Sequence, residues 1–334
     1  MNYTPQLAFY KKRPFGDKLN ATFVFIRENV KPFFKAQLLI AGPILLLTTI
    51  VINQFSFDFM SLGLTPEELN FSDGLRIIKL YGFLLISSII TSAIMPAVAF
   101  SYMKKYQQMP PESITNSDVL SGLGSRIFNL VGFNILIALI LGSATTLFGI
   151  AIGASAAGSA FLAVMLGVLL VVVLVYAFVT LSLGSSIIIF EDSNPIDAIG
   201  RSFKLVAGKW WSTFGIIVIM GILSIIINQL FGLPRAVFFG IKAFTSFEEG
   251  GDLSSIVQMT SGEQGLNILF SVFETFGSIV TGSLVFIAIA FQFFNLVERK
   301  ESRGLMSQIE SIDEQPNEED DEVYNSMATC LDWP

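Results

Sequence analysis

The residues of this sequence that could support chemistry are few, and the first is Glu274, which lies in a long apolar run. A charged side chain inside a bilayer is costly, and one that is retained there commonly binds a proton or a cation. The run extends from about residue 265 to Val297, roughly 48 Å of helix, which exceeds the thickness of the hydrocarbon layer. Glu274 is therefore either a buried proton or cation site or a residue at the outer membrane interface, and the sequence leaves both open.

Uncharged polar residues also fall within or beside the apolar runs. They are Asn134, Asn228, Gln229, Gln292 and Asn295. Such side chains in membrane helices usually form interhelical hydrogen bonds, each of which contributes about 0.6–2 kcal/mol. We expect that role here; the alternative is that Asn134, Asn228 and Gln292 line a substrate path.

The inventory of side chains excludes several kinds of catalytic site. The chain contains no histidine and one cysteine, Cys330, which rules out a Ser-His-Asp triad, a Cys-His pair, a histidine-ligated zinc site and an intramolecular disulfide. It has neither a phosphate-binding glycine-rich loop nor a basic patch suited to nucleic acid. The adjacent acids Glu191 and Asp192 could serve a lipid-modifying enzyme, but two acids at a helix end are usually solvated. We expect no enzyme activity, cofactor, metal or nucleic-acid partner.

The composition indicates a membrane protein. Hydrophobic residues make up 52% of the chain and charged residues 14%, whereas soluble domains contain about 25% charged residues. The net charge of −7 arises near the C-terminus, because eleven acidic and three basic residues occur from Glu298 onward. Residues 301–334 have few apolar side chains, so we expect a disordered acidic cytoplasmic tail that either solvates the protein or docks onto a protein partner.

Six apolar stretches are long enough to cross a bilayer. They cover residues 36–52, 80–100, 127–150, 160–190, 214–230 and 276–297. The third and fourth belong to one uncharged stretch, 127–190, which could instead hold three short helices. Two are favoured because the middle of that stretch is rich in small residues, and we expect Gly149 and Gly153 to pack within the hairpin. Pro43 and Pro96 predict static kinks in the first two spans.

Basic residues are distributed unevenly between the two sides of this topology. With six spans, 16 Lys and Arg residues lie on the side of the N-terminus and 4 lie on the other side. Cytoplasmic loops carry the excess of positive charge. We therefore expect both ends of the chain in the cytoplasm and a location in a bacterial cytoplasmic (inner) membrane, with residues 231–265 as the longest outer loop.

An amphipathic segment precedes the first, third and fifth spans. The three apolar stripes are Leu19, Phe23, Ile26, Val30 and Phe33; Leu120, Leu123, Ile127 and Leu130; and Ile196, Ile199, Phe203, Val206 and Trp210. The predicted helix starts are Asp17, Asn116 or Ser117, and Ser193 before Pro195. Basic residues such as Lys18 and Arg27 are expected on the opposite face, toward headgroups. The pattern predicts an all-α membrane fold of three units, each an interfacial elbow helix followed by a transmembrane hairpin.

The third elbow contains the residues most expected to face lipid. They are Arg201, Lys204, Lys209, Trp210 and Trp211. Basic side chains favour anionic headgroups, and tryptophan favours the interface because its ring is apolar while its N–H needs a partner. Membrane lipids are therefore the expected partners.

The stretch from Glu191 to Trp211 resembles a bacterial membrane-domain family that is fused to some glycerophosphodiester phosphodiesterases and also occurs in related multi-pass proteins of unknown function. The shared features are the acidic end of the preceding span, Pro195, Ala198, Arg201-Ser202, Gly208 and Trp210-Trp211. In the fused proteins a separate soluble barrel with catalytic histidines performs the hydrolysis, and this chain has no histidine. The resemblance implies a membrane-anchoring or lipid-proximal role and not phosphodiesterase activity.

Three functions remain open from the sequence. The first is a non-enzymatic membrane organiser that binds lipids or a partner protein, which accords with the elbows, the acidic tail and the absence of catalytic motifs. The second is a small-molecule or ion transporter, suggested by the repeated units, the kinked spans and Glu274. The third is a lipid-modifying enzyme that uses Glu191 and Asp192.

Overall fold

The computed structural model describes residues 7–61, 71–156, 158–248 and 260–313, and within these ranges the chain is helical with no strand. The helices are α1 (Phe15–Ile40), α2 (Gly42–Ser61), α3 (Phe71–Tyr106), α4 (Asn116–Leu120), α5 (Leu123–Ala156), α6 (Ala160–Leu181), α7 (Gly184–Phe190), α8 (Pro195–Val206), α9 (Trp210–Glu248), α10 (Ser261–Glu301) and α11 (Arg303–Asp313). A 3₁₀ turn, Pro111–Ser113, precedes α4.

The structure confirms an all-α membrane protein. Within the described ranges, five helical segments are long and apolar enough to cross a bilayer, and a sixth is reached if the bent pair α1–α2 counts as one span. The uncharged stretch forms two such segments, α5 and the α6–α7 pair, so the interpretation as two spans rather than three is confirmed. The helices extend beyond the predicted spans, since α9 and α10 have 39 and 41 residues.

A sharp bend separates the first two helices. The axes of α1 and α2 differ by 51°, and Pro43 is the second residue of α2. The Pro43 ring has no N–H and crowds the carbonyl four residues earlier, which favours a break in the helix there. The kink predicted at Pro43 is present. The first elbow helix, expected as a separate element before the first span, is not separate, because α1 runs without interruption from Phe15 through Phe33 to Ile40.

Helix α10 is the centre of the bundle. It contacts α1, α2, α3, α7, α8 and α9, and 78% of its most apolar stretch is buried. The packing is densest toward its C-terminal end, where aromatic side chains interlock. This aromatic cluster contains Phe9, Phe25, Phe33, Tyr102, Tyr106, Phe291 and Phe294. Stacked and edge-to-face contacts of this kind add to the energy of burial, so the cluster holds the N-terminal segment, α1 and α3 against α10.

The predicted helix starts are wrong in detail. Pro14 precedes α1 and makes no side-chain cap, so Asp17 lies in the first turn instead. Thr115 caps α4 in a reciprocal pair with Asp118, and Asn194 rather than Ser193 caps α8 by accepting a hydrogen bond from Asp197. Thr and Asn both satisfy an exposed N–H of the first turn, so several adjacent polar residues can serve and the sequence alone does not select one.

The second amphipathic segment is divided rather than continuous. Helix α4 ends at Leu120, and Gly122 has φ of +70° before α5 begins at Leu123. Such a positive φ is readily adopted by glycine and costly for other residues. The predicted stripe from Leu120 to Leu130 therefore belongs to two helices.

The predicted outer loop is largely helical. Residues 231–248 continue α9, with Pro234 inside it, and 261–265 begin α10; residues 249–259 lie outside the described ranges. Helix continuation is stabilised by ion pairs to α10: Arg235 with Glu274 at 3.0 Å and Lys242 with Glu263 at 3.1 Å. Pro234 is tolerated because neighbouring helices support the backbone.

Two further expectations change. Residues 303–313, predicted as disordered tail, form α11, because Arg303 and Gly304 at its start bond to Glu191, Glu301 and Glu298; residues 314–334 lie outside the described ranges. Gly149 and Gly153 have no neighbouring atom within 4 Å of where a side chain would begin. Their expected packing within the hairpin is therefore wrong.

Candidate functional site

The charged residues expected on one side of the membrane meet at one end of the bundle. Carboxylates and guanidinium groups from α8, α10, α11 and the residue after α7 form a single network. Arg201 donates two hydrogen bonds to Glu191, at 3.0 Å from Nε and 2.8 Å from Nη2, and also pairs with Glu301. Arg303 donates to Glu191 at 2.9 Å and to Glu301 at 2.8 Å. This charge network joins α8 and the residue after α7 to the junction of α10 and α11, where Arg303 lies 112 positions from Glu191.

Glu191 lies inside the charge network and is not solvated. Its side chain is 14% exposed and contacts two guanidinium groups. The hydrogen bonds to Glu191 raise the pKa of the Arg201 guanidinium above its usual value, which reflects how strongly the pair stabilises both charges. The expectation that Glu191 is solvated is wrong. Its neighbour Asp192 is 70% exposed and pairs with Lys104 at 2.6 Å.

Lys18 was expected to face headgroups and is instead buried. Only 3% of it is exposed, and its Nζ donates to Ser212 and to Gln292, each at 2.8 Å. Gln292 in turn donates to Thr213 at 2.9 Å. A buried ammonium retains its charge only where it is hydrogen-bonded, so these contacts join α1, α9 and α10. The interhelical role proposed for Gln292 is observed.

Asn295 lies one turn further along α10 and binds the N-terminal segment. Its Oδ1 accepts from the backbone N–H of Arg13 at 2.8 Å and from Nε of Arg299 at 3.4 Å. Arg299 Nη2 also donates to the carbonyl of Arg13 at 3.4 Å. One edge of the Arg299 guanidinium is thereby held, and its position beside the N-terminal segment is fixed.

A cavity of about 340 Å³ opens beside Arg299. It is lined by Lys12, Ala207, Gly208, Lys209, Leu296, Arg299 and Lys300. Four of these residues are basic and none is acidic, and we call this cavity the basic pocket. Gly208 has φ of +78°, which lets the chain turn from α8 into α9 and brings Lys209 beside α10.

A second, larger cavity of about 1030 Å³ lies between α1 and the 3₁₀ turn. Its lining carries both signs of charge, with Lys31, Lys35 and Glu28 from α1 and Glu112 from the 3₁₀ turn. Glu28 accepts a hydrogen bond from the Tyr106 hydroxyl at 2.9 Å. The positive and negative charges of this lining offset each other, whereas the lining of the basic pocket carries positive charge alone.

The expected tryptophan pair divides into two environments at the start of α9. Trp210 stacks on Tyr176 and on Phe214, with ring centroids 5.9 and 5.2 Å apart. Trp211 is 77% exposed, so its ring is available to lipid. Lys204 and Lys209 are also exposed, while Arg201 belongs to the charge network.

The polar residues at the other end of the bundle form interhelical contacts. Glu274 pairs with Arg235 and is 29% exposed. If the hydrocarbon layer begins at Asn295, its roughly 30 Å cover about 20 residues of helix. The layer then ends at Thr275, the residue after Glu274. Asn134 donates to Ser92 at 2.9 Å.

Further polar side chains in the bundle are Asn228 and a hydrogen-bonded chain along α10. Among the described residues no partner is found for the buried Oδ1 of Asn228. Asn53 on α2 accepts from Asn267 and Ser271 on α10 at 3.0 and 3.1 Å. No group of three or more acidic, histidine or cysteine residues suited to a metal occurs within the described ranges.

Sequence reasoning missed the basic pocket as a unit. Lys12 and Lys300 were counted as membrane-flanking charges, but they are 288 positions apart and nothing in their spacing indicates proximity. Two short basic runs, Lys11–Arg13 and Arg299–Lys300, were the available signal. Only the packing of the N-terminal segment against α10 brings them together.

Comparison with known proteins assigns the chain to a sequence family. No curated protein and no solved structure matches the chain. The sequence model of one family, described as a domain of unknown function (DUF7847), matches residues 111–296. The matched segment includes Lys209 and the tryptophan pair but ends before Arg299. Since it covers more than half of the chain, this protein belongs to the DUF7847 family.

Proposed function

We propose that this chain is a multi-pass protein of a bacterial cytoplasmic membrane that binds lipids or a partner protein and catalyses no reaction. The observation that carries the proposal is the concentration of basic side chains at one end of the bundle. That end includes Lys12, Lys104, Arg126, Arg201, Lys204, Lys209, Arg299, Lys300 and Arg303. Such a surface is attracted to anionic headgroups of the cytoplasmic leaflet.

The orientation follows from the same asymmetry. Within the described residues, the opposite end carries Lys79, Arg235 and Lys242, and the last two are each paired with a glutamate of α10. The positive-inside rule then puts the N-terminus and α11 in the cytoplasm.

The arrangement as three elbow-and-hairpin units remains part of the proposal. It is supported by α8, a separate amphipathic helix before α9, and by exposed apolar side chains on the N-terminal part of α1 and on α8. Phe23 and Val30 on α1 are 45% and 46% exposed, and Ile196 and Phe203 on α8 are 72% and 42% exposed. Apolar side chains directed outward suit helices that lie in the membrane interface.

The resemblance to the membrane domains fused to glycerophosphodiester phosphodiesterases supports a structural role for the matching residues. In that stretch Glu191 binds Arg201, Ala198 and Ser202 are buried, and Gly208 forms the turn. These features set the geometry of α8 rather than a reaction centre. Both carboxylate oxygens of Glu191 already accept hydrogen bonds from guanidinium groups, so the lipid-modifying alternative receives no support from it.

Two measurements test the proposal. Reporters fused to the N-terminus and after Ser307 should be active only in the cytoplasm, and a reporter active outside would contradict the orientation. Native mass spectrometry of protein extracted gently from its own membrane should show a stoichiometric lipid or protein. A bare protein, or one that converts added phospholipid to product, would contradict the binding role.

Transport is a second candidate, and the buried polar side chains along α10 favour it. Asn53, Asn267 and Ser271 form a hydrogen-bonded chain near Glu274, and polar residues in a bundle interior can mark an ion path. Flux of protons or alkali cations into proteoliposomes that is lost in Glu274→Gln, at unchanged protein abundance, would support transport over lipid organisation.

A further inference from the structure

The basic pocket concentrates four positive charges without a carboxylate in its lining. Like charges near one cavity repel each other, and the repulsion grows where water is partly excluded. Two nearby acids, Glu191 and Glu301, bind Arg201 and Arg303, and a third, Glu298, accepts from the backbone N–H of Gly304 at 2.7 Å. The side chains that line the pocket therefore give it a positive charge that an external anion would offset.

The donors around the pocket are positioned and retain unused capacity. Arg299 is held along one edge by Asn295 and Arg13, which leaves its second terminal nitrogen for a ligand. Lys300 Nζ contacts the carbonyl of Lys204, and an ammonium has three N–H donors. Guanidinium and ammonium groups on one cavity are the donor set that binds phosphate.

The backbone beside the pocket adds to the same field. Ala207, Gly208 and Lys209 line the cavity and directly precede α9, which has no acidic residue in its first turn. A helix of this length carries partial positive charge at its N-terminus. An anion in the pocket is therefore close to the positive end of α9 as well as to the four side chains.

The position of the pocket indicates which anion it takes. Trp211, 77% exposed, is two residues from Lys209, and tryptophan rings concentrate at headgroup level. Leu296 supplies an apolar wall. The volume of about 340 Å³ lies at the small end of the range for ligand sites, which suits a headgroup better than a whole lipid. We infer that the pocket binds the phosphate of an anionic phospholipid, with its acyl chains beside Trp211; this inference rests on the proposed lipid-binding role.

Quenching of tryptophan fluorescence by brominated lipid provides the test. The full-length protein, with Trp333→Phe so that Trp210 and Trp211 give the signal, is placed in zwitterionic-lipid nanodiscs with increasing phosphatidylglycerol carrying brominated chains. We expect saturable quenching that Lys209→Gln combined with Lys300→Gln weakens about 30-fold, since each Lys near the surface contributes about fivefold. Thermal melts check that both proteins are folded.

A charge-matched control separates the pocket from general attraction. Lys31→Gln combined with Lys35→Gln removes two exposed positive charges that line the second cavity and not the basic pocket. We expect less than about a threefold loss, because Glu28 and Glu112 share that lining and salt screens charges that do not contact the bound phosphate. Equal losses in the two double variants would overturn the pocket while leaving the lipid-binding role intact. No preference of the unsubstituted protein for phosphatidylglycerol would overturn both. If the Lys300 substitution prevents folding, Lys12→Gln with Lys209→Gln replaces it, because both side chains are exposed.

Inorganic phosphate distinguishes a lipid from a soluble ligand. For a lipid site, millimolar phosphate should displace little of the brominated lipid, because it has no acyl chains to contact Trp211. Displacement at concentrations below those of the lipid, lost in Lys209→Gln with Lys300→Gln, would assign the pocket to a soluble phosphate compound and overturn the lipid assignment.

Discussion

Helices α5 and α10 are both apolar enough to cross a bilayer, yet they occupy opposite environments. In α10, 78% of the most apolar stretch is buried, whereas in α5 none of it is. The buried helix is the more polar of the two. It contributes Asn267, Gln292 and Asn295 to contacts with other segments.

The difference teaches how helices are sorted inside a membrane. Lipid chains are as apolar as leucine, so hydrophobicity alone does not drive one helix against another, and association depends on close packing and on hydrogen bonds. The polar side chains of α5 mostly satisfy themselves: Thr145 and Thr146 donate to carbonyls one turn earlier in the same helix. Hydroxyl groups of α10 such as those of Thr275 and Thr281 do the same, but the amide side chains of α10 bond to neighbouring segments.

The largest expected effect concerns close approach at a glycine. A Cβ atom on Gly277 of α10 would lie 2.5 Å from Cγ and 2.7 Å from Cβ of Phe231, so Gly277→Leu should destabilise the fold by about 3 kcal/mol through overpacking. Gly149→Leu on α5, where nothing lies within 4 Å, is the matched control and should change little. SDS titration in mixed micelles measures both, and equal effects would mean that α5 is also packed.

The next effect tests the charge network at the end of α10. Glu191→Gln leaves Arg201 and Arg303 with Glu301 as their one shared carboxylate in the network. It should cost about 2 kcal/mol, less than a fully buried pair because both arginines are partly exposed. It should also expose Arg303 to trypsin. Asp192→Asn removes the adjacent, 70% exposed carboxylate and should cost less than about 0.5 kcal/mol. Similar melting temperatures for the two variants would show that the network contributes no stability.

Amide side chains on the two helices should differ by a smaller amount. Gln292→Leu removes an acceptor of Lys18 and a donor to Thr213, and we expect a loss of about 1.5 kcal/mol because the ammonium loses a partner. Asn134→Leu on α5 removes one hydrogen bond in an exposed setting and should cost about 0.5 kcal/mol or less. The comparison is again made by SDS titration, and a larger effect at Asn134 would reverse the assignment of α10 as the polar centre.

The smallest expected effect is on the outer face of α5. Leu147 and Ile150 are 67% and 65% exposed, so truncation of both to alanine should change stability by less than about 0.5 kcal/mol. A loss above about 1 kcal/mol, with a shift in mass by light scattering, would show that a second copy covers this face.

Much of the fold could be predicted from the sequence. The spans, the two-helix interpretation of 127–190 and the bend at Pro43 follow from runs of apolar residues and from proline chemistry, which act over short stretches of chain. The extent of α9 could not be predicted, because the charged residues and glycines that follow Phe231 are typical of a loop. Ion pairs with α10 stabilise that segment as helix, and such pairs are invisible without the partner.

The candidate site was predicted only in part. Lys209 and the tryptophan pair were identified from their type and position, whereas Lys12, Arg299 and Lys300 were only counted among flanking charges. Lys18 was placed toward headgroups because a lysine opposite an apolar stripe usually faces water. Its burial depends on Ser212 and Gln292, which lie far away in sequence.

The sequence by itself determined the class of protein, since only continuous helices can satisfy backbone hydrogen bonds along apolar runs of this length. It also determined the asymmetry of basic charge and the absence of histidine chemistry. Only the tertiary structure decided which apolar helix is central, which charges are paired and which four bases surround a cavity. Those outcomes depend on side chains that approach each other across hundreds of residues, and no local pattern encodes that proximity.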